Sequence, residues 1–247
     1  MRSVRAALAG LLWIAATAPA HAGVVFFVDD EPGFAAATAS HVLLGSEDWS
    51  SAGAAPAAIV SDPVLPGVAN GPFPNGVAAA TGMTVQSNSL GGEAATPAPG
   101  GGLFYAPAGF TGVSGNAQPS NQLSSNVTGS SFDLLFAAAA GAAPSAIALS
   151  PMFYRITGDS STGTIAVQVF ASGGALLGET SVPDVADVSE SSFLGVVVTA
   201  PDALGRINLW AGATAVAGAD NVDVYAAPEP GAAAAAAVAL AALRGAR

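Results

Sequence analysis

The sequence predicts an all-β protein: an antiparallel β-sandwich of jelly-roll type, flanked by a signal helix at its N-terminus and an apolar helix at its C-terminus. Three observations carry this reading. Short apolar runs recur between clusters of Gly, Pro, Ser and Asn, the rhythm of strands and turns in two-sheet proteins. Period-2 alternation is clear in the second half, where Ile165, Val167 and Val169 share one face of a run. Helical periodicity is nearly confined to the two ends. The 30 Gly and 17 Pro supply many turns, while 51% hydrophobic residues argue against disorder.

The elements follow in order. Val24 to Val28 (VVFFV) is a short continuous apolar strand. Phe34 to Ser40, after Pro32-Gly33, is the best helix candidate of the body. Ser51 to Ala80, rich in Ala, Pro and Gly, reads as a long surface excursion. Gly82 to Ser87, Gly102 to Tyr105 and Ser131 to Phe136 are strands bounded by turn residues. Ala137 to Ala143 has helical propensity, but Gly141 and Pro144 interrupt it and make it a connection. Ala146 to Leu149 and Met152 to Thr157 read as two strands, followed by a Gly158-Asp159-Ser160-Ser161 turn. Thr164 to Ala171 turns through Ser172-Gly173-Gly174 into Ala175 to Val182, a hairpin. Phe193 to Thr199, Arg206 to Ala211 and Asn221 to Tyr225 complete the series. No repeat of 20 to 50 residues is present, which removes solenoids and propellers.

Composition excludes several functions. The body from Gly23 to Ala227 holds 16 of the 17 acidic residues, no lysine and two of the six arginines, Arg155 and Arg206, a formal charge of −14. Nucleic acid is not a partner, because no basic patch can be built. The absence of cysteine removes thiolate catalysis, zinc–cysteine sites and iron–sulfur clusters.

The two ends carry addresses. Arg2 and Arg5 precede an apolar stretch from Ala6 to Ala18, and Ala20-His21-Ala22 has the small-x-small pattern that a signal peptidase reads. Residues 1–22 are therefore expected to be a signal peptide cleaved before Gly23. At the other end stand Pro228-Glu229-Pro230-Gly231, an Ala-rich apolar run from Ala232 to Leu243, then Arg244 and Arg247. Positive charge just past an apolar helix holds that end in the cytoplasm. This order resembles the PEP-CTERM sorting tag of Gram-negative bacteria. Residues 228–247 would then be the sorting signal, and 23–227 the exported domain.

The same family supplies a second resemblance. Gly163-Thr-Ile-Ala-Val-Gln-Val-Phe, Gly173-Gly174-Ala-Leu-Leu-Gly, Ser192-Phe193-Leu194-Gly195-Val196, Ile207 and Ala219-Asp220-Asn221-Val222 are similar to the C-terminal half of many PEP-CTERM β-sandwich proteins. The resemblance covers about Ser131 to Tyr225 and implies architecture. It also implies a membrane exosortase as processing partner, transient inner-membrane retention through the tail, and delivery to the cell surface or extracellular matrix.

Chemistry is sparser. Only His41 survives leader cleavage as a histidine, and nothing near it resembles a nucleophile elbow. Paired carboxylates among Glu47, Asp48, Glu93 and Glu179 would serve a polysaccharide hydrolase, the alternative function. For Ca²⁺, Asp29 and Asp30 after the first strand and Asp220 opening the last would converge if those strands were neighbours. For carbohydrate, alternation sets Gln168 and Phe170, Asn208 and Trp210, and Asp223 and Tyr225 opposite the apolar faces of three strands, combining rings with amides and an acid. The favoured expectation is a non-enzymatic surface or matrix protein that binds exopolysaccharide on this face.

Overall fold

The computed structural model describes residues 23–49, 59–60, 64–66, 83–92, 95–106, 122–137, 143–155, 163–183, 192–199 and 201–228. Within them the chain is mostly β, in two antiparallel sheets, with one short helix. The larger sheet runs β1 (Gly23–Val28), β12 (Leu194–Thr199), β9 (Pro144–Arg155), β14 (Ala215–Ala226), β7 (Gln122–Ser125), β6 (Leu103–Ala106) and β3 (Ile59–Val60). β2 (Val42–Glu47) also pairs with β14, beside the half that β7 does not use. The smaller sheet runs β11 (Leu176–Pro183), β10 (Thr164–Ala171), β13 (Leu204–Trp210), β8 (Ser131–Phe136), β5 (Met83–Asn88) and β4 (Val64–Pro66).

Alternation decides which side chains face inward. Ile165, Val167, Val169, Ile207, Leu209, Phe132 and Leu134 of the smaller sheet join Ile147, Leu194, Val196, Val222 and Val224 of the larger one in a single buried cluster. Each such side chain removed from water contributes about 1.5–3 kcal/mol. The helix α1 (Glu31–Ala37) lies on the opposite face of the larger sheet. The Asp30 carboxylate caps its start by accepting from Gly33 N–H at 3.0 Å, and Pro32 occupies the first turn, where a missing N–H costs nothing. Its one buried residue, Phe34, packs edge-on against Phe27, Phe193 and Tyr225.

Several expectations change. The helix begins three residues earlier than Phe34, because Asp30 is the better cap. The two strands expected at Ala146–Leu149 and Met152–Thr157 are one, β9, which runs through Pro151. Proline is tolerated there because β12 pairs with β9 only as far as Leu149, so one side of Pro151 needs no N–H. The last strand starts at Ala215 rather than Asn221 and absorbs an irregularity between Asp220 and Asp223, with Asn221 at φ 49°. β2 and β7 were not expected. The region expected to be a surface excursion contributes β3 and β4, one to each sheet. The Gly158–Ser161 turn and most of the Ala137–Ala143 connection lie outside the described residues.

Candidate functional site

The outer face of the smaller sheet, opposite the core, carries the densest polar chemistry of the described residues. Register aligns Glu179, Gln168, Asn208, Asp133 and Gln86 in one row across β11, β10, β13, β8 and β5. Asp133 is its centre and is fully buried. One carboxylate oxygen accepts from Asn208 Nδ2 at 2.6 Å. The other accepts from Asn88 Nδ2 at 3.0 Å and Gln86 Nε2 at 3.3 Å, and it lies 3.6 Å from the Arg206 guanidinium. Burial pushes the Asp133 carboxyl above its ordinary range, while Asn208, Arg206, Gln86 and Asn88 pull it back. Arg206 in turn lies over the Phe170 ring, 3.9 Å from its centroid.

The network also ties down a loop. Asn88 Oδ1 accepts from the backbone N–H of Leu90 and of Ala98, both at 3.1 Å. Trp210 sits at the same end. Its indole N–H donates to the Gly129 carbonyl at 3.2 Å, and Gly92 lies against its ring, where an added Cβ would stand 3.8 Å from three ring atoms. Asp133, Asn208 and Asn88 thus bond to one another and to neighbouring groups of the protein. The row reaches solvent at its β11 end. Gln168 is 6% exposed; its Nε2 donates to Glu179 Oε2 at 3.4 Å, and its Oε1 has no partner. Glu179 is exposed.

The six carbohydrate candidates do not form one face. Gln168, Phe170, Asn208 and Trp210 share the outer face of the smaller sheet, but Asp223 and Tyr225 belong to β14 in the larger sheet. Alternation placed each residue on the correct side of its strand; the sequence does not say which strands share a sheet. Tyr225 packs against Phe34 under α1, and burial, with the Asp223 carboxylate beside it, raises its phenol above the usual value.

The Ca²⁺ candidates are also separated. β12 and β9 intervene between β1 and β14, so Asp29 and Asp30 do not meet Asp220. Each has local work instead. Asp29 Oδ1 accepts from Phe193 N–H at 2.9 Å, Asp30 caps α1, and Asp220 accepts from Asn221 N–H at 2.7 Å and from its Nδ2 at 3.1 Å. Among the described residues no three His, Cys, Asp or Glu side chains converge as metal ligands do. Of the hydrolase carboxylates, Glu47 is buried on β2 of the larger sheet, Asp48 is exposed just after it, and Glu179 is on the smaller sheet. Glu93 lies outside the described residues. His41 is partly exposed, its Nδ1 is buried without a hydrogen-bond partner, and burial lowers its ring below the usual value.

Of the address residues, Gly23 and Pro228 are described; Ala20, Ala22, Glu229, Pro230, Arg244 and Arg247 lie outside the described residues. No described helix is long and apolar enough to cross a membrane. One residue that sequence reasoning missed is Trp49. Fully buried, it donates its indole N–H to the Ala219 carbonyl at 2.7 Å, near the point where β14 changes partner from β7 to β2. Its only sequence signal is a large aromatic directly after two acids. The chain matches no protein-family model, no curated protein and no solved structure.

Proposed function

We propose that this chain is an exported, non-enzymatic cell-surface or extracellular-matrix protein whose body is a β-sandwich of jelly-roll type. In this reading residues 1–22 are a cleaved signal peptide. Residues 228–247 are a PEP-CTERM sorting tail with an apolar helix, held briefly in the inner membrane and processed by an exosortase. One observation carries the reading. Among the described residues, the strands run from Gly23, the residue after the expected cleavage, to Ala226, two residues before Pro228, so they fill the span that the two expected addresses leave for the body. The sandwich is supported by the single buried cluster that both sheets supply.

Mass spectrometry of secreted material is expected to find an N-terminus at Gly23 and a chain ending near Pro228. Full-length protein retained in the cytoplasm would overturn the assignment. For the ligand, the exposed Glu179 carboxylate, backed by Gln168, favours a neutral polyhydroxyl chain such as exopolysaccharide, whose hydroxyls can donate to it. A glycan array probed with the secreted protein is expected to show binding without cleavage, weakened by Glu179→Ala. Degradation of the bound glycan would instead favour the carboxylate-dependent hydrolase.

A further inference from the structure

We propose that the mature protein pairs with a second copy of itself through β1, edge to edge, extending the larger sheet across a two-fold axis. An open sheet edge is a row of unpaired N–H and C=O groups, and proteins that stay monomeric usually blunt it with charge, proline, a bulge or brevity. The other outer strands of the described residues carry such devices. β11 has Glu179 and Pro183 and meets a register irregularity against β10; β4 has three residues and ends in Pro66; β3 has two; β2 has an irregularity against β14 and ends in Glu47. β1 has none of them. It is six residues of Gly, Val and Phe, paired one to one with β12 without a shift, and hydrogen-bonded to no other strand among the described residues. Val25 on this edge is 46% exposed.

The occupant is a second copy because the strand complements itself. A two-fold axis perpendicular to the sheet keeps outer face beside outer face, so residues of like parity must oppose each other. The register centred on Phe26 pairs Val24 with Val28 and Val25 with Phe27 of the second copy, and brings Gly23 beside the turn at its Asp29, whose φ of 52° ends the extended strand. If the leader is cleaved before Gly23, as the functional proposal holds, an α-ammonium stands at that end of the strand, near the Asp29-Asp30-Glu31 cluster of the other chain. The two copies supply this charge pair twice. The α-ammonium is a positive group in a body that has no lysine. Removal of the leader would in this way prepare the surface for assembly.

Sedimentation equilibrium on the secreted protein, its N-terminus verified as Gly23, tests this over about 1–100 μM. A monomer–dimer equilibrium is expected. Val25→Lys, at an exposed position, should raise the dissociation constant at least about tenfold with little change in Tm. The second measurement needs no mutation. Because the body lacks lysine, an amine-directed acetylating reagent reacts at the N-terminus alone, and loss of two exposed ion pairs should weaken the dimer by about threefold or more. A monomer at every concentration overturns the proposal, and so does a dimer indifferent to both Val25→Lys and acetylation. A chain that stays monomeric but captures the strand of a different protein overturns the choice of occupant. If Val25→Lys does not fold, the acetylated wild-type chain decides alone: a weakened dimer supports β1, and an unchanged one removes it.

Discussion

At the scale of single residues, the decisive fact is that polarity and exposure part company on the smaller sheet. Asn208 and Gln168 point away from the core, as alternation requires, yet both are buried, Asn208 in a network organised by Asp133 and Gln168 beside Glu179. Nothing in the Ser131–Phe136 run singles out Asp133, because a lone acid at an outward strand position ordinarily meets water. Its role emerges only when five strands align in register. Asp133→Ala should remove about 3–5 kcal/mol of stability by urea denaturation, since it strands three amide donors and the Arg206 charge in a buried site. A loss below about 1 kcal/mol would mean that water reaches the network. Trp210 behaves as an anchor for neighbouring loops, with Gly129 and Gly92 as its partners. Trp210→Phe should cost about 1 kcal/mol, the net worth of one hydrogen bond, and Trp210→Ala about 3 kcal/mol. Glycan binding that falls while stability holds would return Trp210 to the binding face.

At the scale of elements, the legible strands are those with alternating or continuous apolar residues. Ser131–Phe136 and Thr164–Ala171 appear with the expected bounds because both their pattern and their turn residues are local. β7 was illegible for the opposite reason: Gln122–Ser125 has one apolar residue, and it is a strand because β6 and β14 offer ladders on either side. The Phe193-x-Gly195-Val196 motif, noticed as a resemblance, now has a physical account. Phe193 flanks Phe34 of α1, and Gly195 lies directly beneath it, where a Cβ would stand 2.4 Å from Phe34 Cδ2. Gly195→Ala must therefore push α1 off the sheet or strain β12, at about 1–3 kcal/mol. Phe34→Ala should cost about 3–5 kcal/mol. The double variant is expected to cost less than the sum, because the second methyl group meets an empty socket. Thermal denaturation of the four proteins checks this, and strict additivity would mean that the two residues do not share a socket.

At the scale of the whole molecule, charge and burial act together on pH dependence. The body carries a formal charge of −14, so self-repulsion opposes the compact state at neutral pH and low salt. Mild acid protonates surface carboxylates and relieves it. Asp133 acts in the same direction. Its folded carboxyl lies above the unfolded value of 3.8, so the folded state holds its proton to higher pH than the unfolded chain does. The stability from that proton is fully present below 3.8 and is lost as pH rises through the raised folded value. His41 acts in the opposite direction. With its ring held below 6.5 by burial, the unfolded chain protonates first as pH falls, and stability declines between 6.5 and the lowered folded value. His41 is one partly exposed ring, whereas the repulsion involves 16 carboxylates, so repulsion should prevail. At about 10 mM salt, where the Debye length is about 30 Å, Tm is expected to be higher at about pH 4.5, close to the ordinary carboxylate range, than at pH 7.5. At about 1 M salt, with screening at about 3 Å, the advantage should shrink, and His41→Gln should remove the opposing slope between pH 6.5 and 5.5. Calorimetric scans of the secreted protein at the two pH values and two salt concentrations measure both terms. A Tm that falls on acidification at low salt would show that the acids of this body are held in favourable contacts rather than repelling one another.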